Sequence, residues 1–299
     1  MDIEWQGSIL TGLPLTWPAP AKLNLMLHIT GRRADGYHEL QTVFQFLDYG
    51  DELRFTPRTD AIVRRAQNIA GIAAEDDLVV KAARALQQAC GCQLGVDIYL
   101  NKKLPMGAGL GGGSSDAATT LHALNRIWAC GLNDAQLAEI GLKLGADVPV
   151  FIHGFSAFAE GVGEQLTPVE LEQPWYLVIT PDIHVSTAAI FGDLELTRDS
   201  PAIKICGLPD SGWDNVCVPV VTKHYPKVAE ALELLGQYAE ARMSGTGASV
   251  FAAFETEAQA QQVRASLRDP AKAGMPESWK DFIARGVNTS PLRIQLSSC

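Results

Sequence analysis

Residues 104–116 read LPMGAGLGGGSSD, with glycine at positions 107, 109, 111, 112 and 113. Just before them, Val96, Ile98 and Leu100 alternate with Asp97, Tyr99 and Asn101, the period of a strand with one buried face. Just after them, Ala117, Leu121, Leu124 and Trp128 share one helical face, which predicts a helix from about residue 114. Glycines let the backbone take positive φ and let a ligand come close. The following helix offers unpaired N–H groups and the positive end of its dipole, a combination that binds anions. The stretch therefore reads as a phosphate loop between strand and helix, with serines able to cap the helix or to meet phosphate and magnesium. A flexible linker is the plain alternative, but linkers do not normally sit between a strong strand and a capped helix.

Two familiar phosphate motifs do not fit. No Gly-Lys-Ser/Thr closes the loop, so it is not a Walker A sequence. Gly107, Gly109 and Gly112 have dinucleotide-fingerprint spacing, yet no acid ends a strand some 20 residues later, where the helix still runs.

Upstream, Leu23, Leu25, Leu27 and Ile29 alternate with Lys22, Asn24, Met26 and His28. This predicts a strand with Lys22 and Asn24 together on the face away from the leucines. Residues 31–38 (GRRADGYH) have turn composition, and 39–47 read as a second strand. A helix is expected over 77–90, capped by Asp76 or Asp77, with Leu78, Ala82, Leu86 and Ala89 inward. Downstream, Gly131 stops the post-loop helix, Asn133 or Asp134 caps another, and Gly145 ends that one. Past about residue 160 the pattern changes to a strand at 175–180, a helix at 226–239, strands near 240–243 and 249–254 around a GTG turn, and a helix at 255–267. The expected fold class is α+β, with two domains, 1–160 and 161–299.

Bulk composition narrows the function. The 299 residues are 47% hydrophobic and 19% charged, which is ordinary globular composition. Net charge is −10, from 24 basic and 34 acidic residues, with no basic stripe, so a nucleic-acid partner is not expected. No apolar run approaches the roughly 20 residues of a membrane span. The start, MDIEWQGSIL, has acids where a signal peptide needs bases, so no membrane partner and a cytoplasmic location are expected. Cys90, Cys92, Cys130, Cys206, Cys217 and Cys299 make no C-x-x-C pair and read as reduced packing residues. His28, His122, His153, His184 and His224 suggest no metal cluster.

PMGAGLGGGSSDAA (105–118) resembles the phosphate motif of the GHMP kinases. PAKLNLMLHITGRRADGYHEL (20–40) and RMSGTGASVFAAF (242–254) agree with that family. Together with GADVPVFIHG (145–154) and AFAEGVGE (157–164), they point to a branch phosphorylating the 2-hydroxyl of a cytidine diphosphate-linked alcohol in the non-mevalonate route to isoprenoid precursors. Residues 1–16 fall outside the resemblance, and 193–222 match nothing usable within it.

The resemblance implies a two-domain fold with a deep cleft, ATP and Mg2+ as cofactors, and a monomer or weak homodimer. ATP would lie on Pro105, Met106, Gly107, Ala108, Gly109, Leu110, Gly111, Gly112, Gly113, Ser114 and Ser115. Ser115 is the candidate magnesium contact; no carboxylate ligand is identified. Ala108 stands where glycine would also suit, acceptable if its φ is negative. By motif, Asp147 is the general base and Lys22 the catalytic lysine; read without the family, they are a helix N-cap and a solvated strand lysine. Asn24 would hydrogen-bond the acceptor, Tyr37 stack on the base, His38 hydrogen-bond it, and Phe191 with Thr187 form the opposite wall. Taken alone, Phe191 reads equally as core packing. Gly245, Thr246 and Gly247 would approach the phosphates, or else form a simple hairpin turn. Lys102 and Lys103 either assist the nucleotide or end a strand in solvent.

Three rivals remain at this stage. A kinase of the same family acting on mevalonate, homoserine or a sugar would have no use for Tyr37 and His38 at a nucleobase. A noncatalytic nucleotide-binding regulator would be expected to have lost Lys22 or Asp147. A decarboxylase of the same fold is the third.

Overall fold

The computed structural model describes residues 13–34, 36–69, 71, 73–205, 213–269 and 274–298. Most of the 1–16 segment, together with Cys206 and Cys299, lies outside the described residues.

The first half opens with two long antiparallel strands, β1 (Trp17–Arg32) and β2 (His38–Arg58). β3 (Val63–Arg65) leads to α1 (Leu78–Cys90), and β4 (Gly95–Asn101) to α2 (Gly112–Ile127). α3 (Asp134–Leu142) and α4 (Val148–His153) follow, then a hairpin of β5 (Ala157–Glu160) and β6 (Gln165–Pro168). The second half holds β7 (Trp175–Thr180), α5 (Thr187–Gly192), α6 (Val218–His224), α7 (Pro226–Gly236), β8 (Arg242–Met243), β9 (Val250–Phe254), α8 (Glu257–Leu267), β10 (Lys280–Val287) and α9 (Pro291–Ser298).

One sheet runs through both halves in the order β3-β4-β2-β10-β7-β9-β8, with β1 and β5 also paired to β2. β10 makes the join, pairing Lys280–Arg285 with β7 and Gly286–Val287 with β2. Its inward residues include Ala284 and Gly286; a Cβ on Gly286 would sit 2.8 Å from the Tyr176 ring. Three apolar clusters follow the layers. The first packs α1, α2 and α4 on the β1–β2–β4 face and takes in Leu292 and Leu296 of α9, so the last helix returns to the first half. The second lies under α6 and α7, and the third fills the space between the halves around Leu23, Met26 and Val178.

Local sequence rules account for much of this. Asp77 caps α1 by accepting from the Val79 N–H, and Gly91 closes that helix at φ 66°. Asn133 and Gln136 form a capping box on α3. Two expectations need correction. Ala89 is exposed, and Val79, Val80 and Ala83 join Ala82 and Leu86 in the core instead. β1 is buried on both faces, because its side chains are divided among the three apolar clusters and the phosphate loop closes over Lys22 through the Leu110 and Gly109 carbonyls. Lys22 and Asn24 are accordingly inside the molecule rather than on a wet face.

Candidate active site

The phosphate loop is stitched down on alternate residues. Gly107, Gly109 and Gly111 take φ of 62°, 76° and 71°, while the intervening Ala108 and Leu110 are buried. Ala108 is not among the positive-φ residues, so its methyl group carries no backbone strain. The Leu110 carbonyl accepts from the Lys22 N–H at 3.0 Å, and the Ala108 carbonyl from the Ser249 N–H at 3.1 Å. The loop is thereby pinned to β1 on one side and to the 244–249 turn on the other.

α2 begins at Gly112, two residues earlier than the sequence predicts, with Gly111 as its left-handed N-cap residue. The N–H groups of Gly112, Gly113 and Ser114 thus form the open first turn. This phase corrects the reading of Ser115. Its N–H bonds to the Gly111 carbonyl at 2.8 Å, and its hydroxyl turns into the core, where no partner meets it. Ser114 is the serine that faces the cavity.

Lys22 Nζ is held by two hydrogen bonds and one ion pair. It bonds to Asn24 Oδ1, to the Gly109 carbonyl at 3.2 Å, and lies 3.3 Å from Asp147 Oδ2. Asn24 is held in turn by Thr42 Oγ1 at 2.9 Å, and Thr42 donates to the Met26 carbonyl at 2.6 Å. Thr42 has given its proton away, so Asn24 must offer it an N–H and turn its oxygen to the lysine. Asp147 occupies the N-cap position of α4, with Pro149 in the first turn, but its carboxylate caps no backbone N–H. It is 35% exposed while Lys22 is 3% exposed, which leaves the carboxylate reachable and the ammonium sheltered.

These groups line one cavity of about 1020 Å³. Every residue singled out from the sequence for binding or catalysis borders it except Lys103, Ser115 and Gly247. Gly247 is the back of the turn, its N–H bonded to the Ser244 carbonyl at 2.9 Å. Lys102 borders the cavity, whereas Lys103 is exposed and paired with Glu52 at 2.8 Å.

At one end, Phe191 stacks on His38, ring centres 5.2 Å apart, and also packs against the second core. The core-packing reading of Phe191 holds, and its side chain also borders the cavity. Tyr37 stands 64% exposed at the rim. Thr187 joins Thr246 through their hydroxyls at 2.9 Å, tying α5 to the 245–247 turn. Burial first, then Arg198 and Arg32, hold the His38 imidazole below its ordinary pKa.

Asp51, Asp116, Arg198 and Asn215, which lie beneath or beside the cavity, carry no sequence signal. Lys102 donates to Asp51 at 2.6 Å and to Asp116 at 2.7 Å, beneath the first turn of α2. Asp51 also accepts the N–H groups of Lys103 and Leu104 and is well satisfied. Asp116 has one oxygen buried without a partner; burial pushes its carboxyl up to about 8, against the pull of Lys102 and with the push of Asp51. Burial also draws Lys102 down, but the two carboxylates outweigh it and hold the ammonium above its ordinary value. Arg198, bonded to His38, and Asn215, whose amide holds the Met243 and Gly245 carbonyls, complete the set.

A glycine loop opening a helix, beside a buried lysine and a reachable carboxylate, is equipment for moving a phosphoryl group. The GHMP kinases N terminal domain matches residues 77–155, and the GHMP kinases C terminal domain matches 209–273. The chain belongs to the GHMP kinase family and is an ATP-dependent kinase of a small molecule.

Among individual relatives, it is 56% identical to the 4-diphosphocytidyl-2-C-methyl-D-erythritol kinase of Pseudomonas savastanoi pv. phaseolicola, over 94% of this chain and 95% of that one. It is 54% identical to the protein of the same name from Shewanella halifaxensis, over 96% and 99%. The crystal structure of a 4-(cytidine 5'-diphospho)-2C-methyl-D-erythritol kinase superposes with a TM-score of 0.76 at 30% identity, covering 91% of this chain and 98% of that one. The mevalonate kinase of Methanococcus jannaschii, at 14% identity and a TM-score of 0.66, shares the fold, covering 93% and 99%.

Proposed function

We propose that this kinase transfers the γ-phosphoryl group of ATP to the 2-hydroxyl of 4-diphosphocytidyl-2-C-methyl-D-erythritol. The observation that carries the reading is the Lys22–Asp147 pair, 3.3 Å apart at the mouth of the phosphate loop, with the Asp147 carboxylate committed to no helix cap. The names of relatives above half identity supply the acceptor.

In this reading the triphosphate rests on the N–H groups of residues 112–114 and on the glycine loop, in the half before about residue 160. Asp147 accepts the proton of the acceptor hydroxyl as its oxygen attacks the γ-phosphorus. The bond from the γ-phosphorus to the bridging oxygen breaks, and ADP leaves. Lys22 places positive charge beside the transferring group. Asn24 holds Lys22 in position. Tyr37, His38 and Phe191 receive the cytosine at the end of the cavity bordered by Thr187.

Among the described residues, no group of three or more His, Cys, Asp or Glu side chains is placed to hold a metal. The cavity-lining Ser114 hydroxyl and Asp147 carboxylate are oxygen donors of the kind magnesium takes, which fits an ion held mainly by the nucleotide's own phosphates. When bound, magnesium supplies neutralising charge on those phosphates. No helix of the described residues is long and apolar enough to cross a membrane.

The test is ATP consumption with magnesium and one acceptor at a time: the cytidylated alcohol, mevalonate and homoserine. Turnover with the cytidylated alcohol alone is expected. Turnover with another acceptor would discard the nucleobase pocket and keep the phosphoryl machinery.

A further inference from the structure

Arg198 follows α5 and takes no part in the steps above, yet it is nearly saturated with hydrogen bonds. Its Nη2 donates to the carbonyls of Phe191 at 2.9 Å and Asp193 at 2.5 Å, and its Nη1 to that of Leu196 at 3.1 Å. The remaining Nε–H donates to His38 Nε2 at 3.1 Å. A guanidinium has only donors and does not deprotonate in proteins. His38 must therefore present a lone pair at Nε2, and its single proton sits on Nδ1. Stacking on Phe191, with ring planes 24° apart, fixes the orientation of the ring. No described residue takes up Nδ1, and the side chain borders the cavity.

We propose that Arg198 is a positioning residue that makes His38 a one-way donor through Nδ1, and so biases this end of the cavity toward a pyrimidine with a ring-nitrogen acceptor. This rests on the reading that the acceptor is cytidylated. Cytosine N3 is an acceptor, whereas uracil carries a hydrogen at N3. A donor facing a donor leaves both groups unpaired in a partly dehydrated slot, which is costly. The three carbonyl bonds serve the same end, because they lock the guanidinium from which Nε points at His38.

The experiment has two readouts, with Arg198→Met and Arg198→Lys compared with the parent chain. Nitrogen NMR of the His38 imidazole, on protein without substrate at neutral pH, reports the tautomer. The parent should show protonated Nδ1, Arg198→Met should lose that bias, and Arg198→Lys, which still offers only donors, should keep it. Steady-state kinetics with the cytidylated acceptor and its uridylated counterpart report selectivity. The parent should prefer cytosine, and Arg198→Met should narrow the preference about tenfold or more through KM, with kcat within about twofold. Retained kcat also shows that the variant is folded.

Protonated Nε2 in the parent chain would overturn the proposal. So would an unchanged preference in Arg198→Met. Equal losses in the two variants with no change of tautomer would make Arg198 a loop tether only. If the parent turned over no cytidylated acceptor, the functional reading would fall, while the tautomer measurement would still decide what Arg198 does to His38.

Discussion

The hydroxyl of Ser244 donates to the carbonyl of Gly109 over 2.8 Å, joining residues 135 positions apart in sequence. The Ser244 backbone is closer still: a Cβ built on Gly109 would lie 2.1 Å from the Ser244 carbonyl oxygen. Gly109 also holds φ of 76°, where a side chain is strained regardless of space. The second half of the chain therefore presses on the phosphate loop at a position that only glycine can fill. Gly109→Ala should raise the ATP concentration for half-saturation about tenfold or more and lower the melting temperature. Ser244→Ala, which removes two buried bonds (the one to the Gly109 carbonyl and the one accepted from the Asn24 N–H at 3.1 Å), should cost about 2 kcal/mol and much less affinity. Nucleotide titration calorimetry and thermal unfolding measure both.

Asp147 touches Lys22 and caps nothing, so its removal should separate chemistry from binding. Asp147→Asn is expected to lower kcat at least about a hundredfold while leaving ATP affinity within a few-fold. Lys22→Met should lower kcat as well, and also weaken ATP binding because the Gly109 carbonyl loses one of its two donors. Rapid-quench single-turnover assays beside equilibrium ATP binding check the split.

Asp116 supplies a pH test. Its folded-state pKa of about 8 lies above the ordinary 3.8, chiefly through burial. The folded chain thus holds a proton that the unfolded chain releases above about pH 4. Stability from this group is complete below that point and falls as pH rises toward 8. Asp116→Asn mimics the protonated form, so it should melt at least about 2 °C above the parent near pH 9, with the gap closing toward pH 5. Thermal unfolding across that range decides it, and a gap that grows with acidity would contradict the assignment.

At the aromatic end, Phe191 packs on the second core as well as on His38. Phe191→Ala should therefore raise the KM for the cytidylated acceptor and lower stability together, the latter by about 2–4 kcal/mol. Tyr37 is mostly exposed, so Tyr37→Ala should raise that KM with little change in melting temperature. Steady-state kinetics paired with calorimetry distinguishes the two.

What could be read from sequence was what is local. The glycine spacing, the Asn133 cap and the Asp147-Val148-Pro149 junction are each written within a few residues, and the structure places them as their chemistry suggests. The errors came from phase and from distance. Starting α2 at 112 rather than 114 turns Ser115 inward and leaves Ser114 at the cavity. The phosphate loop, 87 residues away at Gly109, closes over Lys22 and puts it inside, which a simple alternation cannot show. Lys102 meets Asp51 across 51 residues and Arg198 meets His38 across 160, so no window of sequence contains either contact. β10 is faint in the sequence because, of its inward residues 282, 284 and 286, only Phe282 carries a strong apolar signal beside Ala284 and Gly286.

The position of β10 has a consequence for biosynthesis. By the time Thr246 has been added, every described residue lining the cavity already exists. The strand that joins the two parts of the sheet comes later, at Lys280–Val287, and the Leu292 and Leu296 side chains that complete the first core come later still. Such late, long-range pairing is slow and leaves strand edges open meanwhile. On the ribosome, a nascent chain carrying all the residues that line the cavity still lacks the strand that joins the two parts of its sheet, and its exposed β2 and β7 edges are where chaperone occupancy should concentrate until the last twenty or so residues emerge.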